Sequence, residues 1–395
     1  MKRIRKIIFW CHLPIGLLGG LIIFVMCVTG VLLAYEKQIT AWADTRNFAT
    51  PNVASGTQRL ALEELATKAR AARNTDPSAV TIRSNPAAPA EVSFGREGTL
   101  FLNPYSGEVL GEGSRGVRNF FRVVTDWHRW LGAQGENRAL ARAITGACNL
   151  GFLILVMSGF YLWWPQRLSL KYIRNIIWFK RGLPGKARDF NWHNVIGFWS
   201  VVPLFIVVLS GVVISYTWAS NLVYRVAGEK PPAARGNQPP PNAGPAKGVS
   251  LTNLNQYWTS AEQQIPDWQS ITLQLPPTTE APVTFSIDSG NGGQPQKRAQ
   301  LTIDRKTGNV DRFEPFAAQT RGRQWRTILR FAHTGEVAGF IGQAIAGLAS
   351  AGGIFLVWTG FALAYRRFRG WLRRRSAATN SGLNRNPNAV GIAGD

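Results

Sequence analysis

Four stretches of this chain are mainly apolar and almost free of charge: residues 7–35, 144–164, 195–218 and 341–365. Each reaches about 20 residues or more, enough for a helix to cross a hydrocarbon core of roughly 30 Å. A backbone inside lipid must satisfy its own hydrogen bonds, so such runs are expected as membrane-spanning helices. Four crossings are predicted, and the rest of the 395 residues must be organised around them.

The formal charge of +23 would suit a nucleic-acid partner if it formed a recognition surface. It is concentrated beside the spans instead. Lys2, Arg3, Arg5 and Lys6 precede the first; Arg167, Lys171, Arg174, Lys180, Arg181, Lys186 and Arg188 lie between the second and third. Arg366, Arg367, Arg369, Arg373, Arg374, Arg375 and Arg385 follow the fourth. All three clusters fall on one side of an even-numbered topology, as retention of positive flanks requires. Both termini are therefore expected in the cytoplasm, with segments 37–138 and 219–337 outside. No nucleic-acid motif accompanies the charge, so lipid, not nucleic acid, is the expected partner. Ala41-Trp42-Ala43 faintly resembles a cleavage site, but the preceding apolar run is too long for a signal peptide, and the first span is read as retained. Cys11, Cys27 and Cys148 all lie within spans, and no CxxC or CxxCH occurs, which leaves disulfides, a zinc ribbon and covalent haem unsupported.

The chain is written twice. His12, Gly16, Thr29-Gly30 and Tyr35 recur without a gap as His193, Gly197, Ser210-Gly211 and Tyr216. Gly146, Gly151 and Ser158-Gly159-Phe160 recur as Gly347, Gly352 and Thr359-Gly360-Phe361. Outside the spans, the strand–turn segment 100–109 parallels 301–310, each turn opened by Asn103 or Asp304 and closed by Gly107 or Gly308. Further strands are predicted at 80–83 and 91–94, and at 271–275 and 283–287; helices are predicted at 60–73 and 253–264. The Pro-, Gly- and Ala-rich segment 231–245 reads as a linker. Two halves running in one direction should relate by a pseudo-two-fold axis along the membrane normal.

All four histidines belong to the repeat. His12 and His193 sit at the cytoplasmic start of the first and third spans; His128 and His333 precede the second and fourth on the outer side. Symmetry would set His12 opposite His193, and His128 opposite His333. Two facing imidazoles can supply both axial ligands of a haem iron, so two non-covalent b-type haems are expected. Gly16 and Gly197, one turn beyond their histidines, would let the backbone approach a flat macrocycle. Lys6 and Arg188 inside, and Arg129, Arg142 and Arg330 outside, are candidate partners for propionates. Each feature has a plainer explanation. Interfacial histidines are ordinarily solvated, membrane glycines serve packing and terminal arginines snorkel. The pairing of all four histidines at two depths is what favours haem. Zinc and copper lack a Cys or carboxylate to complete either shell, although Asp126 near His128 and Glu336 near His333 leave an outer metal site open.

The chain resembles the PepSY-associated transmembrane helix family, which includes iron-regulated membrane proteins and inner-membrane ferric-siderophore reductases. The resemblance runs from about Arg3 to about Arg369. It is carried by Trp10-Cys11-His12 with Gly16, by the turn Asn103-Pro104-Tyr105-Ser106-Gly107-Glu108-Val109, by Asp126-Trp127-His128-Arg129-Trp130-Leu131-Gly132, and by Asn191-Trp192-His193 with Gly197. Ala332-His333-Thr334-Gly335 departs from it in lacking the aromatic neighbours of His128. The implied architecture is a membrane α-helical protein of two span–domain–span repeats with two small α+β PepSY-like periplasmic domains. The expected segments are span 1 at 1–36, outer domain 1 at 37–116, and an interfacial helix with span 2 at 117–165. A cytoplasmic loop at 166–190, span 3 at 191–219, and the linker with outer domain 2 at 220–320 follow. An interfacial helix with span 4 at 321–366 and a basic tail at 367–395 complete the chain. In the reductase members such histidines hold two haems, a role the resemblance passes to His12, His128, His193 and His333. The expectation is a ferric-siderophore reductase of the bacterial inner membrane, with substrate near Trp127, Trp130, Arg129 and Arg330. No dinucleotide or flavin motif is visible, so the electron donor is a separate molecule. The same haems could relay electrons to a quinone or a periplasmic protein, and a haem-free membrane protein binding or regulating a partner is the third reading.

Overall fold

In the computed structural model, which describes residues 2–46, 48, 57–164, 170–233 and 251–383, the duplication is visible element by element. The first half comprises α1 (Lys2–Leu33), α2 (Glu36–Thr45), α3 (Leu62–Arg73), β1 (Ala79–Arg83), β2 (Ala90–Ser93), β3 (Thr99–Leu102), β4 (Val109–Glu112), α4 (Arg115–Trp130) and α5 (Asn137–Trp163). After α6 (Leu170–Ile177) the order repeats: α7 (Gly185–Ser215), α8 (Thr217–Val226), α9 (Trp258–Gln264), β5 (Ser270–Gln274), β6 (Val283–Asp288), β7 (Arg298–Ile303), β8 (Val310–Pro315), α10 (Arg321–His333) and α11 (Gly339–Leu383). Of the expected linker, residues 234–245 lie outside the described residues, as do Arg167 and Arg385.

One compact unit holds residues 1–31, 127–209 and 346–395. Its helices α1, α5, α7 and α11 are each long and apolar enough to cross a membrane. Leu18 is 85% exposed and Leu348 72%, which is tolerable only against lipid. Small residues bring the helices together, as expected where no hydrophobic drive separates helix from lipid. A Cβ at Gly20 would lie 2.7 Å from the Phe361 ring, and one at Gly353 2.6 Å from Cys27 Sγ, so α1 and α11 meet at glycine contacts. Asn149 Nδ2 donates to the Val208 carbonyl at 3.1 Å, tying α5 to α7. At the helix ends, Arg5 donates to the Leu162 and Trp164 carbonyls (2.5 and 2.6 Å), satisfying orphan acceptors of α5. Buried Asp189 pairs with Arg366 at 2.9 Å and with Arg188 at 3.1 Å.

The second unit holds residues 32–126 and 210–345. Two separate small outer domains were expected here. The structure instead joins their strands into one eight-stranded antiparallel sheet, ordered β4-β3-β2-β1-β5-β6-β7-β8. The seam is β1 against β5, where Thr81 faces its own repeat counterpart Thr272 and their hydroxyls lie 2.8 Å apart. Each first strand would otherwise leave an unpaired edge, and pairing the two copies removes both edges at once. One core follows: Leu65 and Ala69 of α3, Leu254 and Ala261 in and before α9, and Val80, Val92, Ile271, Leu273, Phe285 and Leu301 of the strands are all buried together. The second covering helix is shorter than the 253–264 expectation, because residues Asn255–Tyr257 wind as a 3-10 turn before α9. The predicted turns form as read. Asn103 Oδ1 accepts from Tyr105 N at 2.9 Å, and Asp304 Oδ1 from Lys306 N and Thr307 N at 2.8 and 2.9 Å, with Gly107 and Gly308 both at φ 72.

The same unit anchors the helices that lead to the later histidines. Buried Asp44, at the end of α2, accepts from Ser114 N at 2.6 Å and pairs with Arg118 at the start of α4. Glu229, just after α8, accepts from Gly322 N at 3.0 Å in the first turn of α10. That backbone bond is the main reason its carboxyl is held below the ordinary carboxylate range. Both carboxylates sit at helix N-termini, where the dipole favours negative charge. Helices α2, α6 and α8 were not anticipated; each is only eight to ten residues long.

Candidate functional site

Within the helical unit, His12 and His193 line one cavity of about 150 Å³, set in a cleft whose empty space, mouth included, is about 990 Å³. Its walls repeat. From α1 come His12, Leu13, Gly16, Leu17, Gly20 and Ile23, and from α7 the residues at the same repeat positions, His193, Asn194, Gly197, Phe198, Val201 and Leu204. Leu155, Val156, Gly159 and Phe160 of α5 are matched by Leu356, Val357, Gly360 and Phe361 of α11. The cavity is thus lined mostly by residues at equivalent positions of the two halves, and an imidazole from each half reaches it. Apart from the histidines and Asn194 the walls are apolar, which lowers the local dielectric.

The glycines separate into two kinds. Gly20 is demanded by packing, as noted above. A Cβ at Gly16 would meet only Leu155 methyls at 3.8 and 4.0 Å, and one at Gly197 only Leu356 at 3.6 Å. Packing against protein does not require glycine at those two positions, which border the open cleft. Gly159 and Gly360 lie against the rings, their ideal Cβ positions being 3.5 Å from His12 Cε1 and 3.8 Å from His193 Cε1. Gly16→Leu should therefore keep α1 helical, since it removes a glycine penalty of about 1 kcal/mol, while filling the cleft. Circular dichroism is expected to be unchanged, and uptake of added haem, the ligand proposed below for this cleft, to be lost; a variant that takes up haem as the parent does would show that the cleft is not a haem site.

Each ring is held from a neighbouring helix. His12 Nδ1 lies 2.8 Å from Ser158 Oγ, and His193 Nδ1 2.9 Å from Thr359 Oγ1. His128, also in the helical unit, has Nδ1 2.8 Å from Thr29 Oγ1, with the Gly30 Cβ position 3.7 Å from its Cε1. His333, in the sheet unit, has Nδ1 3.3 Å from Ser210 Oγ. The structure thus brings His12 and His193 to one cleft, while the pairing of His128 with His333 rests on the repeat.

The donor set fits a haem at the first pair. Two imidazoles, glycine-lined walls and apolar surroundings are what such a group needs. Trp163 also lines the cleft, and its indole N–H is buried without a hydrogen-bond partner. No sequence signal marked Trp163: its repeat counterpart is Ala364, so it breaks the symmetry. The arginine assignments fare unevenly. Arg188 is engaged with Asp189 and stacks at 5.6 Å over Trp192; Lys6 and Arg142 are exposed. Arg129 lies 4.5 Å over Trp130, and Arg330 5.9 Å from the Phe331 ring. Among the described residues no group of three or more His, Cys, Asp or Glu could hold a metal ion. Glu336 is paired with Lys37, and Asp126 and His128, two residues apart on α4, point to different faces.

Four apolar spanning helices, an internally duplicated sheet unit and an apolar cleft lined by both halves define a duplicated multi-pass membrane protein. The family whose sequence model matches, described as PepSY-associated TM region, covers residues 9–367, and the chain belongs to it. No match to a curated protein was found.

Proposed function

We propose that this protein is a dihaem electron-transfer protein of the bacterial inner membrane that reduces ferric siderophores at the periplasmic face. The observation carrying this reading is the placement of His12 and His193, at equivalent positions of the repeat, in one apolar cleft. His128 and His333 are assigned to a second site on the strength of the repeat. Bound between such imidazoles, a b-type haem supplies reversible one-electron chemistry at its iron. The chain's part is to present the ring nitrogens, exclude water with the Leu155, Leu356, Phe160 and Phe361 walls, and leave room at Gly16 and Gly197. Reduction of each Fe(III) to Fe(II) consumes one electron, which a separate reduced donor on the cytoplasmic side must supply. Hard oxygen ligands hold Fe(II) less firmly, so reduction releases the metal. Arg129 and Arg138 both stack on Trp130 at 4.5 Å, a cationic aromatic surface that suits an anionic chelate.

Protein reduced anaerobically with dithionite, freed of excess reductant and mixed with a ferric siderophore, should lose its reduced α-band while Fe(II) accumulates on a ferrous chelator. Haem that stays reduced beside every ferric chelate, yet is oxidised by a quinone, would overturn the substrate assignment.

A further inference from the structure

The hydroxyl–glycine steps Thr29-Gly30, Ser158-Gly159, Ser210-Gly211 and Thr359-Gly360 recur in all four spans, and each hydroxyl meets a histidine Nδ1. We infer that Ser158, Thr29 and Thr359 are positioning residues that hold His12, His128 and His193 in the Nδ1–H form and so present Nε2 to the iron, with Ser210 standing at the same repeat position beside His333. The inference rests on the dihaem reading above.

The reasoning is a count of protons. A Ser or Thr hydroxyl has one hydrogen to donate. Ser158 Oγ donates it to the Ile154 carbonyl at 2.6 Å, Thr359 Oγ1 to Phe355 at 2.7 Å, and Thr29 Oγ1 to Val25 at 2.7 Å. Inside a span no water competes for that carbonyl. The oxygen is left to accept, so the ring must donate from Nδ1, and the lone pair is on Nε2. The arrangement crosses helices reciprocally. In the first half, His12 of α1 is held by α5 and His128 of α4 is held by α1. In the second, His193 of α7 is held by α11 and His333 of α10 by α7.

The choice of acceptor also has an electronic consequence. An acceptor on the far ring nitrogen raises ligand basicity and stabilises oxidised iron, most strongly when it is a carboxylate. A neutral hydroxyl orients the ring with a smaller effect of that kind.

The test uses the full-length, haem-loaded protein with Thr359→Val, which keeps the shape and removes the hydroxyl, and Thr359→Ser, which restores it. Thr359→Val should raise the midpoint potential of one haem, with a tenfold change in relative affinity for the two oxidation states reading as about 59 mV. Its low-spin EPR signal should shift or broaden as the ring loses its fixed plane. Thr359→Ser should match the parent in both readouts. Haem-bearing Thr359→Val with unaltered potential and EPR overturns the hydroxyl assignment and leaves the dihaem reading standing. A parent protein without haem overturns both. Should Thr359→Val fail to fold, Ser158→Ala reads the same quantities at His12, with the same two outcomes.

Discussion

On the dihaem reading proposed above, protein carrying His193→Ala is expected to bind one haem where the parent binds two, halving the Soret absorbance per chain, while still reaching the membrane as a folded four-span protein. The substitution places a good helix former within α7 and deletes no packing beyond the ring, so insertion is not threatened. What it removes is one of the two nitrogens the cleft offers to an iron. His12→Ala should give the same spectrum, because the two rings serve one site, and the double variant should be no worse than either single one. That non-additivity is the signature of a shared ligand site. Added imidazole should restore part of the signal in each single variant. The measurement is a haem-to-protein ratio, expected to fall from about two to about one for two bis-histidine centres. A ratio unchanged in both single variants would mean the cleft holds no haem.

Phe285→Ala is expected to destabilise the whole eight-stranded sheet by about 3–5 kcal/mol, the range for deleting a large buried aromatic. Phe285 is fully buried in the core shared by both copies. Had the copies been independent domains, the damage would stop at β5–β8. With β1 paired to β5 over five residue pairs, amide exchange should accelerate in β2 and β3 as well. Protection retained throughout β1–β4 would show that the seam does not couple the halves. The effect is large because the strands of each copy have no private core to fall back on.

Much of this arrangement was legible before any coordinate. The spans showed themselves by length and apolarity, and the turns at Asn103 and Asp304 by residues whose side chains cap their own backbone. These are local properties. The repeat also exposed the four histidines and the four hydroxyl–glycine steps as sets of equal spacing. It did not show that the two sets bond to each other. Whether His12 reaches Ser158 depends on the rotation of α1 and α5 about their own axes, which contacts such as Gly20 against Phe361 and Gly151 against Ile15 settle. Trp163 left no trace either, since nothing in an indole's neighbours along the chain says that its N–H will be buried without an acceptor.

The β1–β5 seam was hidden for a related reason. Both strands alternate in the ordinary way, and an alternating strand accepts any partner of suitable register. By itself the amino-acid order determined the number of membrane crossings, the duplication, the turn chemistry and the identity of every imidazole, because each follows from residues near one another in the chain. Tertiary structure alone decided that two expected domains share one sheet, that His12 and His193 open onto one cavity, and that each ring is steadied by a hydroxyl on another helix. Those are relations between distant segments, set by how helices rotate and strand edges meet, and no window along the chain encodes them.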